Sequence, residues 1–194
     1  MMKYPKNLGF SLIEVLVTIV ILLIGLLGLA GLQGRALTSQ MESYQRSQAL
    51  VLLKDMADRI EANRKNAASY ITASPLGTGA TCPTGTSLAV QDLCAWNNTL
   101  QGAAETQGTT TVGAMIGARG CVYQNAAPAS GVATTYSIVV AWQGMNNTAA
   151  PDVKFGYSAG KCGFNQYMNN SASPTVTEAL HRTIILPIAV ADLL

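Results

Sequence analysis

One carboxylate stands just inside a long apolar run. Glu14 lies in the segment Phe10-Ser-Leu-Ile-Glu-Val-Leu-Val, and the next acidic side chain is Glu42. A charged group at mid-bilayer costs ~2.5–3.5 kcal/mol on insertion scales, so such a residue needs a partner or a function. The bland alternative is that Glu14 lies near enough to the segment end to snorkel to the interface.

The cysteines form the second reactive set. Cys82, Cys94, Cys121 and Cys162 are separated by 11, 26 and 40 residues. Zinc sites favour a close C-x2–4-C pair, which is missing, and a redox C-x-x-C pair is missing too. An even count beyond an apolar segment reads as two disulfides formed in an oxidising compartment. Four cysteines allow three connectivities that sequence does not separate. Cys82–Cys94 with Cys121–Cys162 is favoured because each bond closes a compact loop, worth about 3–4 kcal/mol on the chain-entropy model.

The third set is His181, the sole histidine, beside Arg182 and three residues after Glu178. A serine–histidine–acid site would need a nucleophile elbow, and the chain has no G-x-S-x-G. Thr78-Gly-Ala and Ile116-Gly-Ala-Arg-Gly lack the lysine or the helix context of a phosphate loop. His181 therefore reads as a satisfied structural or an exposed histidine. No catalytic residue, metal site or cofactor is expected.

The elements that position these groups follow from hydropathy and charge. The chain has 194 residues, 49% of them hydrophobic and 11% charged, against roughly 25% charged in an average soluble domain. Twelve Lys and Arg against ten Asp and Glu leave a net +2, with no basic face for nucleic acid. The hydrophobicity is concentrated: Val15 to Gly34 is a 20-residue stretch without a charge. As a helix it spans about 30 Å, the thickness of a hydrocarbon core. Lys3 and Lys6 precede it, which places the N-terminus on the cytoplasmic side. An ordinary signal peptide would have a shorter apolar core of about 7–15 residues and an A-x-A-like cleavage site.

Residues 33–66 carry 10 of the 22 charges, and residues 67–194 carry 9. Glu42–Arg46, Asp55–Arg59 and Glu61–Lys65 have the favourable i,i+4 order. Ala49, Leu53, Met56, Ile60 and Ala67 form a helical stripe, preceded by Leu37, Met41 and Tyr44. These patterns predict that the apolar helix continues as an amphipathic one to about Ala68, stopping before Ser74-Pro75. Strands are expected at Ala118–Gln124, Thr134–Gln143 and His181–Val190, with Tyr136, Ile138, Val140 and Trp142 on one face towards the helix. Segments 74–88 and 144–177 are expected to be loops. Trp96 and Trp142 read as core residues.

Lys6-Asn-Leu-Gly-Phe-Ser-Leu-Ile-Glu14 resembles the type IV prepilin processing motif: a short basic leader, a glycine, a phenylalanine, and a glutamate five residues into the mature chain. The continuation Ile19-Val-Ile-Leu-Leu-Ile-Gly-Leu-Leu-Gly-Leu-Ala-Gly-Leu-Gln33 is similar to the PilV kind of minor pilin, related to the minor pseudopilins of type II secretion. The likeness covers about the first quarter of the chain. Unlike many major pilins, the apolar helix has no proline but has glycines at Gly25, Gly28, Gly31 and Gly34. These suit either local extension of the helix or close helix packing.

The resemblance implies an α+β fold with a long N-terminal helix on a small, disulfide-bonded antiparallel sheet. It implies a leader of residues 1–9 cut between Gly9 and Phe10 by prepilin peptidase, and N-methylation of Phe10. It further implies a transmembrane and assembly helix over 10–34, an amphipathic continuation over 35–70, and a periplasmic head over 71–194. Glu14 would neutralise a neighbour's Phe10 ammonium. Implied partners are other minor pilins, the major pilin and a tip adhesin. The chain would wait in the inner membrane, then join a pilus at the cell surface, serving assembly, twitching motility and adhesion. A type II secretion pseudopilin, or an anchored periplasmic binding or hydrolytic domain, are the alternatives.

Overall fold

A computed structural model describes residues 9–103, 106–108, 110–111, 115–125, 133–151, 161–167 and 178–191. Lys3 and Lys6 lie outside them. The chain divides into two compact units between Met41 and Glu42. Helix α1, Leu12–Ala62, begins in the first unit and ends in the second.

In the first unit, residues 9–37 are exposed throughout. Among the described residues, α1 is the one helix long and apolar enough to cross a membrane. The unbroken helix over this apolar run satisfies its backbone internally, the condition for a stable span in lipid.

In the second unit, α1 turns Ala49, Leu52, Leu53, Met56, Ala57 and Ile60 inward. The expected inward stripe thus starts at Ala49, while Tyr44 remains exposed. The α-helix ends at Ala62 rather than about Ala68, and Arg64–Tyr70 continues as a 3-10 helix. Asn63 explains the break: its side chain donates to Tyr70 Oη at 3.2 Å and accepts from Asn66 Nδ2 at 2.8 Å. Asparagine side chains compete in this way with the helical ladder. The change also removes the i,i+4 geometry expected for Glu61–Lys65, which is absent from the ion pairs of the described residues. Asp55–Arg59 forms at 3.1 Å, and Lys54 pairs with Asp58.

The sheet is antiparallel in the order β1 (Leu76–Gly77), β4 (Arg119–Gln124), β5 (Thr134–Gln143), β6 (His181–Val190). A separate hairpin pairs β2 (Thr106–Gln107) with β3 (Thr110–Thr111). The register sets Trp142 opposite Arg182, Val140 opposite Ile184, Ile138 opposite Leu186 and Tyr136 opposite Ile188. Tyr136, Ile138, Val140 and Trp142 meet the α1 residues in the main core, as the alternation predicts. Pro187 faces Ser137. The Gly144 amide bonds Leu180 O, so even-numbered β5 and β6 residues carry the ladder. The amide that Pro187 lacks would have pointed to the open edge, where a proline is tolerated.

Helix α2, Leu88–Leu100, is an element the sequence reading did not assign. Ser87 caps it by accepting from the Val90 amide at 3.3 Å, the usual serine N-cap arrangement. Ala89, Leu93, Trp96 and Leu100 form its buried face. Trp96 is fully buried, and its indole N–H donates to Leu52 O of α1 at 3.0 Å. A Cβ at Gly120 would come within 2.3 Å of the Trp96 ring. Glycine there lets α2 sit directly on β4.

Candidate functional site

Three groups of residues were singled out by sequence, and the structure places each of them. Gly9, Phe10 and Ser11 precede the first helical residue, so the Gly9–Phe10 peptide lies outside the α-helical ladder. Phe10 is 83% exposed. Glu14 sits in the first turn of α1, and its amide bonds Ser11 O at 3.0 Å. A carboxylate there also complements the positive end of the helix dipole. At Gly25, Gly28, Gly31 and Gly34 an added Cβ would meet nothing within 4 Å. The packing of this chain alone therefore gives no reason for those glycines.

The cysteines form Cys82–Cys94 and Cys121–Cys162, and none is free. The first bond ties the segment before α2 to α2 itself. The second fastens the turn at 161–167 to β4, on the sheet face opposite α1. Cys121, Cys162, Tyr167, Val139 and Ala141 form a second core there. On the chain-entropy model, loops of 12 and 41 residues correspond to about 3 and about 4 kcal/mol.

His181 lies under this second core and is 2% exposed. Its Nε2 is 3.0 Å from Cys162 O, and its Nδ1 is 2.6 Å from Glu178 Oε2. A carbonyl can only accept, so Nε2 carries a proton. Nδ1 and Oε2 face each other at 2.6 Å, a separation that a proton shared between them accounts for. Burial lowers the His181 pKa to about 4 and raises that of Glu178, so both shifts disfavour a charged pair. The amides of Asn165 and Tyr167 pull Glu178 the other way, but neither Oε1 nor Oε2 has a hydrogen bond of ordinary geometry. Tyr167 stacks on the imidazole with ring centroids 4.7 Å apart, and its hydroxyl donates to Gly117 O at 2.7 Å. The pair joins the disulfide-bonded turn to β6. Both side chains of the pair are buried.

Two polar links escaped the sequence reading. Glu42 turns away from Arg46 and accepts from the Met145 amide at 3.2 Å, with Arg182 Nη2 3.5 Å distant. The residues lie more than a hundred positions apart, and no local pattern signals their meeting. Asp92 accepts from Tyr70 Oη at 2.5 Å and from Arg59 Nη1 at 2.9 Å, tying α1, the 3-10 helix and α2 together. Burial, then the bond to Asp92, push the Tyr70 hydroxyl up to about 12.

Among the described residues, no cluster of three or more His, Cys, Asp or Glu could hold a metal ion. What the fold defines is an exposed apolar helical stretch and a disulfide-stapled head, an arrangement similar to that of a pilin. Residues 31–121 match the family model described as Type IV pilin Tt1218. Residues 4–30 match the prokaryotic N-terminal methylation motif. The chain is thus similar to type IV pilins over residues 4–121, a family that is structural rather than enzymatic. No curated protein and no solved structure matches it.

Proposed function

We propose that the chain is a minor pilin of the PilV kind that joins a priming or tip complex and promotes assembly of a type IV pilus. Prepilin peptidase cuts after Gly9 on the cytoplasmic side and methylates the new amine of Phe10. The apolar half of α1 then holds the protein in the inner membrane as a single span, with the head in the periplasm. Assembly proceeds through contacts of this helix with other minor pilins and the major pilin, and the head chooses partners, a tip adhesin among them.

The observation that carries this reading is the first unit itself. A long stretch of leucine, isoleucine and valine, exposed from residue 9 to 37, follows an exposed Gly9–Phe10 junction and an exposed Glu14. In a filament core the Phe10 ammonium needs a counter-charge. Glu14 of a neighbouring subunit supplies it, and a shifted register leaves both charges buried and unpaired, at a cost of about 3–5 kcal/mol. The test is incorporation of Glu14→Ala and Glu14→Gln into sheared pili, compared with the unaltered protein at matched membrane levels. Both variants should be processed yet lost from pili by tenfold or more. Incorporation at the unaltered level would overturn the role of Glu14.

A further inference from the structure

The head has two ends, and its own contacts identify them. At one end Thr134, Tyr136 and Val190 line a cavity with residues Ala62 to Ala68. At the other, Glu42 holds the Met145 amide and approaches Arg182. Strand β5 therefore runs from the C-terminal end of α1 back towards Glu42, the first head residue after the apolar run. Glu42 lies eight positions beyond Gly34. They carry the chain about 12 Å as helix, and no more than about 28 Å if fully extended. The headgroup layer beyond each face of the hydrocarbon core is itself about 5–7 Å thick.

The Glu42 end is built from three segments that meet there. Gly117 accepts from Tyr167 and from Arg119, and Arg119 Nη2 donates to Gln166. Arg182 reaches the carbonyls of Ala179 and Asn146. His181 holds Cys162, and with it the 161–167 turn. The segments present Ile116, Met145 and Phe164 at 42%, 43% and 51% exposure. Between them stand exposed Lys161 and partly exposed Arg119 and Arg182. Glu178 is buried with His181, which leaves Glu42 as the one accessible acid among these residues. Large apolar side chains beside cations are the composition that seats a protein on anionic lipid headgroups.

We propose that, before assembly, this end of the head rests on the anionic headgroup surface of the membrane that holds α1. The proposal builds on the membrane-anchored reading. It gives the three exposed apolar side chains an apolar neighbour and sets the head's stance while it waits for partners. Phe164 and Met145 enter the interface, and Lys161 and Arg119 meet lipid phosphates.

The test uses the full chain in vesicles of phosphatidylcholine with phosphatidylglycerol, doped with headgroup spin-labelled lipid. Phe164→Trp and Met145→Trp report the Glu42 end. Thr135→Trp reports the other, eight β5 residues or about 27 Å away. Native Trp96 and Trp142 are buried and give a common background. Emission at 164 and 145 should be quenched at least twofold more than at 135, and the excess should vanish without phosphatidylglycerol or with Lys161→Glu. Equal quenching at the three positions in protein that floats with the vesicles overturns the proposal. So does quenching indifferent to phosphatidylglycerol, or an effect that scales with protein-to-lipid ratio, which marks a second copy on this surface. Failure to float with the vesicles instead overturns the anchored reading itself.

Discussion

Glu178→Gln tests the proton count of the buried His181 pair. A glutamine has the shape of the protonated carboxyl, and its amide N–H can donate to Nδ1, 2.6 Å from Oε2 in the native pair, while Nε2–H keeps Cys162 O. The native pair holds two protons, on Nε2 and between Nδ1 and Oε2. An unfolded chain holds three below the glutamate's ordinary pKa near 4.5, two up to that of histidine near 6.5, and one above it. Stability from the pair is therefore level between these values. It is lost as pH falls below 4.5, through the lowered histidine, and as pH rises above 6.5, through the raised glutamate. The slope is at most about 1.4 kcal/mol per pH unit. The glutamine variant loses stability as pH falls below 6.5 rather than 4.5, because only the histidine now titrates, and it has no high-pH loss. Relative to the unaltered head it should gain stability as pH rises above about 4.5, by up to about 1.4 kcal/mol per pH unit for as long as the folded Glu178 keeps its proton. Urea unfolding of the detergent-solubilised chain with disulfides intact, followed by tryptophan emission, measures both. A loss of about 3–5 kcal/mol at pH 5.5 would show an imidazolium–carboxylate pair instead, and a difference that does not change with pH would refute the proton count.

Other expectations concern the joints of the head. Gly120→Ala drives a methyl into Trp96 and Leu100 of α2 and should cost about 1–3 kcal/mol in the same assay. Tyr70→Phe removes the donor to Asp92 and should cost a similar amount, about 1–3 kcal/mol. Tyr70 and Tyr167 both have hydroxyls raised to about 12 from 10. Each contributes stability that is present below pH 10 and lost as pH rises towards 12. Tyr123 and Tyr136 are raised by burial too, so Tyr70→Phe should reduce the steepness of alkaline unfolding without abolishing it, and an unchanged slope would show that Tyr70 does not titrate on unfolding.

The strands were legible because β5 and β6 alternate along core faces that the helix covers, so Tyr136, Ile138, Val140 and Trp142 point where period two places them. The buried stripe of α1 was legible for the same reason at helical period. Helix α2 was obscured by surroundings rich in glycine, threonine and alanine, although Ser87 and the spacing of Ala89, Leu93, Trp96 and Leu100 carried its signal. The end of α1 turned on the side-chain bonds of Asn63 to Tyr70 and Asn66, which periodicity does not register. Tertiary links such as Glu42 with Met145 and Arg182 have no local signature at all. The cysteines paired by loop size because each bond joins neighbouring elements. At the N-terminus Gly9, Phe10, Glu14 and the apolar run occur in a fixed order, and residues 4–30 match the N-terminal methylation motif.

The central claim is that this chain is processed as a prepilin and retains its apolar helix afterwards. Intact-mass and N-terminal fragment spectra of protein purified from its native membrane test it most directly. The account predicts a chain beginning at N-methylated Phe10 and retaining Glu14 through Gly34, lighter by the hydrogens of two disulfides. A chain beginning beyond Gly34, or one still carrying Met1 to Gly9 with an unmodified Phe10, would contradict it.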